Sequence, residues 1–285
     1  MPCQTWWLTR NLLQVPKGTF YSISGMARKR GAEEPTSDLR GSKTKKKNGK
    51  EKASSSKMVS EEGKPPKVEQ QKSQKLSEEV IVETDCGGPF TLTASEPTRN
   101  TRGELVFDDE PEFLPNLTPK EVLQAGSFGG TYFRPIKSSI TGESYSGVWK
   151  ELPKDWLEGL NINKQIASKI YDGKVNKYGA KCGGSLEMWE QSGWMHKQDP
   201  YGWFMWYCRF YRGRRSEDDE RQIGRWQRCA GNKGRWRQNL VTKIVRSGCA
   251  FDNPAVSPVV RQTLLHWGYD LSEDDYKKGV KRVKI

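Results

Sequence analysis

Apolar side chains enter this chain in two regimes. Between residues 27 and 79 there is no Trp, Tyr or Phe, and Ile, Leu and Val are sparse; from Leu114 onward they recur every few positions. A segment that cannot bury apolar surface cannot offset the entropy of ordering its backbone. Residues 27–113 therefore read as a disordered arm, Lys-rich to residue 79 and acidic beyond it, with at most a short strand. Residues 114–271 read as one globular Trp- and Arg-rich helical domain, and 272–285 as a basic tail, frayed from Lys277 to Ile285.

Inside the domain the spacing favours helices. Thr118-Pro119-Lys120-Glu121 is a capping box with proline at the first helical position. A short helix is expected after Pro153, and Ser185 can cap another through Leu186, Met188 and Trp189. Seven aromatics between Tyr201 and Tyr211 leave no polar face, so that run predicts a helix buried nearly all round, opened by Pro200. Ser216 to Asp219 reads as a second capping signal for a helix to about Cys229. After the turn Gly231-Asn232-Lys233-Gly234 a helix over 235–247 puts Trp236, Leu240 and Ile244 on one face. Arg235, Asn239, Thr242 and Arg246 fall on the other. Ser257-Pro258 predicts the start of a last helix closed by Gly268. Strand signals are confined to Thr131 to Ile136, where Pro135 demotes the run to an edge. The expected fold is mainly α (α+β with minor β): a compact helical domain with a short strand or hairpin region near 127–149.

Charge changes this picture. The net charge is +13, divided into a lysine focus before residue 80 and an arginine focus, ten Arg and two Lys, between 200 and 247. Arginine offers a planar fork for bidentate contacts and stacks on rings, so the second focus is the better shaped anion site. Arg209, Arg212, Arg214, Arg215, Arg221, Arg225, Arg228, Arg235, Arg237, Asn239 and Arg246 are the candidate nucleic-acid contacts, with Trp203 and Tyr207 as candidate stacking residues. The 216–247 helical pair has the outline of a helix-turn-helix, which would send its second helix into a major groove. Lysine clusters at Arg28-Lys29-Arg30 and Lys43 to Lys47 are spaced like a bipartite nuclear signal and would add salt-sensitive attraction to DNA or RNA. The functional expectation is a non-enzymatic nucleic-acid-binding protein of the nucleus. An enzyme acting on a polyanion, or a module for an acidic protein partner, are the alternatives. The first 26 residues, basic and partly apolar, also fit a mitochondrial leader or an extension ahead of a start at Met26.

Other chemistry is thin in the sequence. The six cysteines form no C-x-x-C, and with His196 and His266 the only histidines, no metal-ligand spacing arises. No cofactor fingerprint is present, since Gly126 to Thr131 matches no phosphate-loop pattern. Glu217, Asp218, Asp219 and Glu220 could hold a metal but also suit a helix start; Glu187 and Glu190 could pair as acid and base but also suit ion pairs. Gly183-Gly184-Ser185 could seat one phosphate or simply cap a helix. No apolar run is long enough for a membrane span. Oligomeric state is open.

Overall fold

The computed structural model describes residues 80–284. The readings made on residues 1–79, namely the leader, the start at Met26 and the two basic clusters of the Lys-rich arm, lie outside the described residues. The described part is mainly helical with three small antiparallel hairpins, the fold class the apolar pattern predicts.

Among the described residues seven α-helices form: α1 Pro119–Gln124, α2 Leu186–Gln191, α3 Trp203–Tyr211, α4 Asp219–Cys229, α5 Arg235–Ser247, α6 Pro258–His266 and α7 Glu273–Val280. α3 is the centre of the described core. Phe204, Trp206, Tyr207 and Phe210 are 0% exposed. Phe113 sits against this helix with its ring edge-on to Trp203, Trp206, Tyr207, Phe210 and, on α4, Trp226. Buried indoles need a partner for the N–H, and all three here have one. Trp206 donates to Asp219 Oδ1 at 2.7 Å, Trp203 to the His266 carbonyl and Trp226 to the Trp267 carbonyl. The aromatic run is thus a core element, as its lack of a polar face implies, although the helix begins at Trp203, after Gly202 at the cap, rather than at Pro200.

Several starts obey their local chemistry. The Thr118 capping box is complete, and Ser185 Oγ accepts from the Met188 amide. Others do not. Ser216 binds the Asp219 carboxylate through its amide and hydroxyl, but residues 217–218 form a turn and α4 begins at Asp219, two residues later than a cap at Ser216 suggests. Ser257 takes a left-handed backbone (φ 57°), and its hydroxyl accepts from Lys243 Nζ instead of capping α6. The expected strand through Thr131 also fails: residues 131–135 turn, and the strand pair is β5 Ile136–Lys137 with β6 Ser144–Tyr145.

Two boundaries move. Residues 80–113, expected as acidic linker, fold into hairpins β1 Val80–Val82 with β2 Phe90–Leu92 and β3 Thr98–Arg99 with β4 Leu105–Val106. They deliver Leu105, Phe107 and Phe113 into the core. Two- and three-residue strands carry no readable period, so single apolar residues in an acidic background hide them. The basic tail carries α7, capped by Ser272 and held by an Arg237–Asp275 ion pair of 2.5 Å, so the stretch expected to fray from Lys277 is helical as far as Val280. Among the described residues no helix is long and apolar enough to cross a membrane.

Candidate functional site

The arginines between 200 and 247 do not form one outward field. Arg209 is 1% and Arg214 3% exposed. Arg209 clamps Glu151 with Nε and Nη2 (2.9 and 2.8 Å) and gives Nη1 to Asp199 at 3.1 Å. Arg214 takes both Asp199 oxygens, at 2.8 and 2.6 Å. Arg212 donates to the Glu151 carbonyl. Arg215 is bidentate to Asp109 and lies 3.9 Å over the Phe210 ring. Arg221 pairs with Asp218, and Arg237 with Asp275 over Tyr269. These six candidates serve the fold; apart from Asp218, three residues before Arg221, and the main-chain carbonyl that Arg212 meets, their partners are carboxylates 10 or more residues away, which spacing along the chain does not reveal. Tyr207 is likewise removed as a stacking platform, since it is fully buried with its hydroxyl on the Leu117 carbonyl.

Arg225, Arg228, Arg235 and Arg246 remain without an ion pair among the described residues. Arg246 and Asn239 are exposed on the outer face of α5, as the 3.6-residue pattern requires. Arg225, Arg228 and Arg235 instead converge with Arg134 and Lys169 on a cavity of about 830 Å³. Its wall contains no Asp or Glu. Trp189, Trp194, Trp236, Trp267 and Tyr171 supply aromatic faces, and Trp203 reaches the cavity from α3. The Arg225 guanidinium lies 5.5 Å from the ring centroids of both Trp194 and Trp267, and Arg235 lies 5.2 Å from that of Trp236, within cation–π range. Burial, and then the neighbouring Arg221, bring Arg225 down to about 10. It hydrogen-bonds only neutral groups, the Gln222 amide oxygen and the Trp194 carbonyl. A half-buried cation without a counter-ion is costly, and an anionic ligand would remove that cost.

The floor is core: Phe204 is fully buried, and Tyr132 and Tyr201 nearly so. One wall is a strained loop. Phe128, Gly129 and Gly130 have φ of 54°, 56° and 75°, and a left-handed Phe costs on the order of 1–3 kcal/mol unless its surroundings hold it. Here the Phe128 amide donates to His266 Nε2 at 2.8 Å, the Gly129 amide donates to Asn176 Oδ1, and the Phe128 ring stacks on His266 at 4.0 Å. A Cβ on Gly130 would come within 2.0 Å of the Lys164 carbonyl oxygen. Gly130→Ala is therefore expected to lower stability by about 3 kcal/mol, read as the shift in a urea-unfolding midpoint. An unchanged midpoint would show that the loop gives way freely.

Cys182 and His266 meet in this wall, with Sγ to Nδ1 3.4 Å. Their chemistry is not that of a nucleophile and base. Because Nε2 accepts from an amide, the proton sits on Nδ1 and faces the sulfur. Burial pushes the Cys182 thiol up to about 11 and His266 down to about 3, opposite to the thiolate–imidazolium pair that such catalysis needs. The acidic candidates are also committed. Glu190 binds Ser138 and Ser139, Asp218 binds Arg221 and Gln222, and Asp219 binds Trp206 and Ser216. Glu187 and Glu217 are exposed, and Ser185 is used as a cap. Among the described residues no group of three His, Cys, Asp or Glu could hold a metal ion, and the five described cysteines are free.

Sequence reasoning found three of the five cavity cations, but as a helix surface. It missed Arg134, Lys169, Trp194, Trp236 and Trp267 as one site, because they come from separate segments; the adjacent pair Arg235-Trp236 is the nearest thing to a local signal. Comparison with protein-family models, with curated proteins and with solved structures returned no match, so the functional reading rests on the geometry alone.

Proposed function

We propose that the protein binds nucleic acid, and that unpaired nucleotides enter the Arg- and Trp-walled cavity rather than a duplex meeting the outer face of α5. The observation that carries this is a cavity with five cations, no carboxylate and several indole faces. Cations neutralise phosphate, and aromatic faces stack any base, a combination worth roughly 1–3 kcal/mol per stacked base. The volume falls within the ~300–1,000 Å³ of sites that enclose a small ligand. A duplex, with its bases paired and stacked, cannot use the indoles.

The test is anisotropy of a labelled single-stranded oligonucleotide, with its duplex as comparison, titrated with the full chain at several salt concentrations. The Arg228→Ala/Arg235→Ala double variant is expected to bind the single strand at least about tenfold more weakly, with a salt slope shallower by about 1–2. An Asn239→Ala/Arg246→Ala variant, altered only on the outer face of α5, is expected to bind as the parent does. The opposite ranking would move the site to that face and restore the groove-docking expectation. No binding of either nucleic acid by the parent chain would end the reading.

A further inference from the structure

The cavity is closed at its inner end. Phe204, Tyr132 and Tyr201 belong to the core, and His266, itself buried, is locked against Phe128. A strand cannot thread through such a floor, and an end enters it without the bend that an internal nucleotide would need. The charge at the mouth and walls points the same way. Arg134, Lys169, Arg225, Arg228 and Arg235 meet no carboxylate in the lining, whereas an internal phosphodiester brings a single negative charge per nucleotide. A terminal phosphate monoester brings nearly two charges and three acceptor oxygens, and arginine forks suit it bidentately. The Trp194–Arg225–Trp267 stack gives the base a flat flank beside that charge.

We infer that the cavity receives a terminal nucleotide, with its base against the indoles and its phosphate monoester among Arg225, Arg228 and Arg235. The inference rests on the nucleic-acid reading and makes it specific for ends. The same chemistry is carried by a free nucleoside monophosphate, so both sources belong in the test.

Four probes decide it, each titrated against the full chain: a single-stranded oligonucleotide with hydroxyls at both ends, the same strand with a 5′-phosphate, the same strand with a 3′-phosphate, and AMP. One phosphorylated strand is expected to bind at least about tenfold more tightly than the hydroxyl-ended strand, the worth of one further charge-assisted hydrogen bond. That preference is expected to vanish in Arg225→Gln, with AMP competing for the site and quenching tryptophan fluorescence. Arg225→Gln keeps a polar head at the mouth, and an unchanged circular-dichroism spectrum shows that it folds. Equal affinity for all three strands overturns the end-specific inference while leaving nucleic-acid binding in place. AMP binding without binding of any strand overturns the nucleic-acid reading and keeps the phosphate-monoester pocket. No binding of any probe overturns both.

Discussion

Asp199→Ala is expected to lower the stability of the folded domain by about 4 kcal/mol, within the roughly 3–5 kcal/mol seen when one partner of a buried ion pair is removed. Asp199 is 0% exposed, and its two oxygens are shared by Arg209 and Arg214. Without it, Glu151 is the single carboxylate left beside two buried guanidiniums. Arg209 retains Glu151 and the carbonyls of Cys86 and Gln198. Arg214 retains no carboxylate, and its Nε already lacks a partner. The network joins distant parts of the chain: Thr84 donates to Glu151, and the Phe90 ring lies over Arg209 and Arg214. Loss of Asp199 should therefore loosen the β1–β2 hairpin along with the core. Thermal unfolding should move down by about 10 °C for a domain of this size, and amides of residues 84–92 should exchange faster. A midpoint within a degree or two of the parent would mean that water already shields the pair. Should the variant not accumulate, Arg214→Met, which removes one cation and spares Asp199 its pairing with Arg209, is expected to lose less.

Acid should destabilise the domain through His266. Its ordinary value is 6.5, and burial lowers it to about 3 in the folded state. Between those values the unfolded chain binds a proton that the folded chain refuses, so stability falls as the pH falls. The contribution is complete above pH 6.5. It declines by about 2 kcal/mol between pH 7 and pH 5 and by about 4–5 kcal/mol in all by pH 3. A protonated ring could no longer accept from the Phe128 amide, so the cost falls on the strained loop that walls the cavity. Urea midpoints of the parent and of His266→Gln, taken at pH 7 and pH 5, isolate the effect. The variant should lose about 2 kcal/mol less over that interval. Parallel losses in the two proteins would show that the ring is not held neutral by the fold.

Helices were legible where their cause is local. The Thr118 capping box, the Ser185 cap, the glycine turn between α4 and α5 and the unbroken aromatic run of α3 are each decided within a few residues. The mainly helical class and the outward face of α5 follow from them, because a 3.6-residue period is written directly in the order of the side chains. What the chain order does not contain is which charges will meet. Arg209 and Arg228 look alike in sequence, yet one is sealed between Glu151 and Asp199 and the other opens on the cavity. The difference lies in carboxylates 58 and 10 residues away for Arg209 and absent from the cavity lining for Arg228. The same holds for the short strands before Phe113 and for the cavity itself, whose walls come from segments scattered from Phe128 to Trp267. Local backbone preferences act over one turn of chain, whereas ion pairing and cavity shape depend on distances set only when the core closes. The order of the side chains is enough for a helical, arginine-rich domain, whereas which arginines are sealed into the core and which line the cavity follows only from distances set when that core closes.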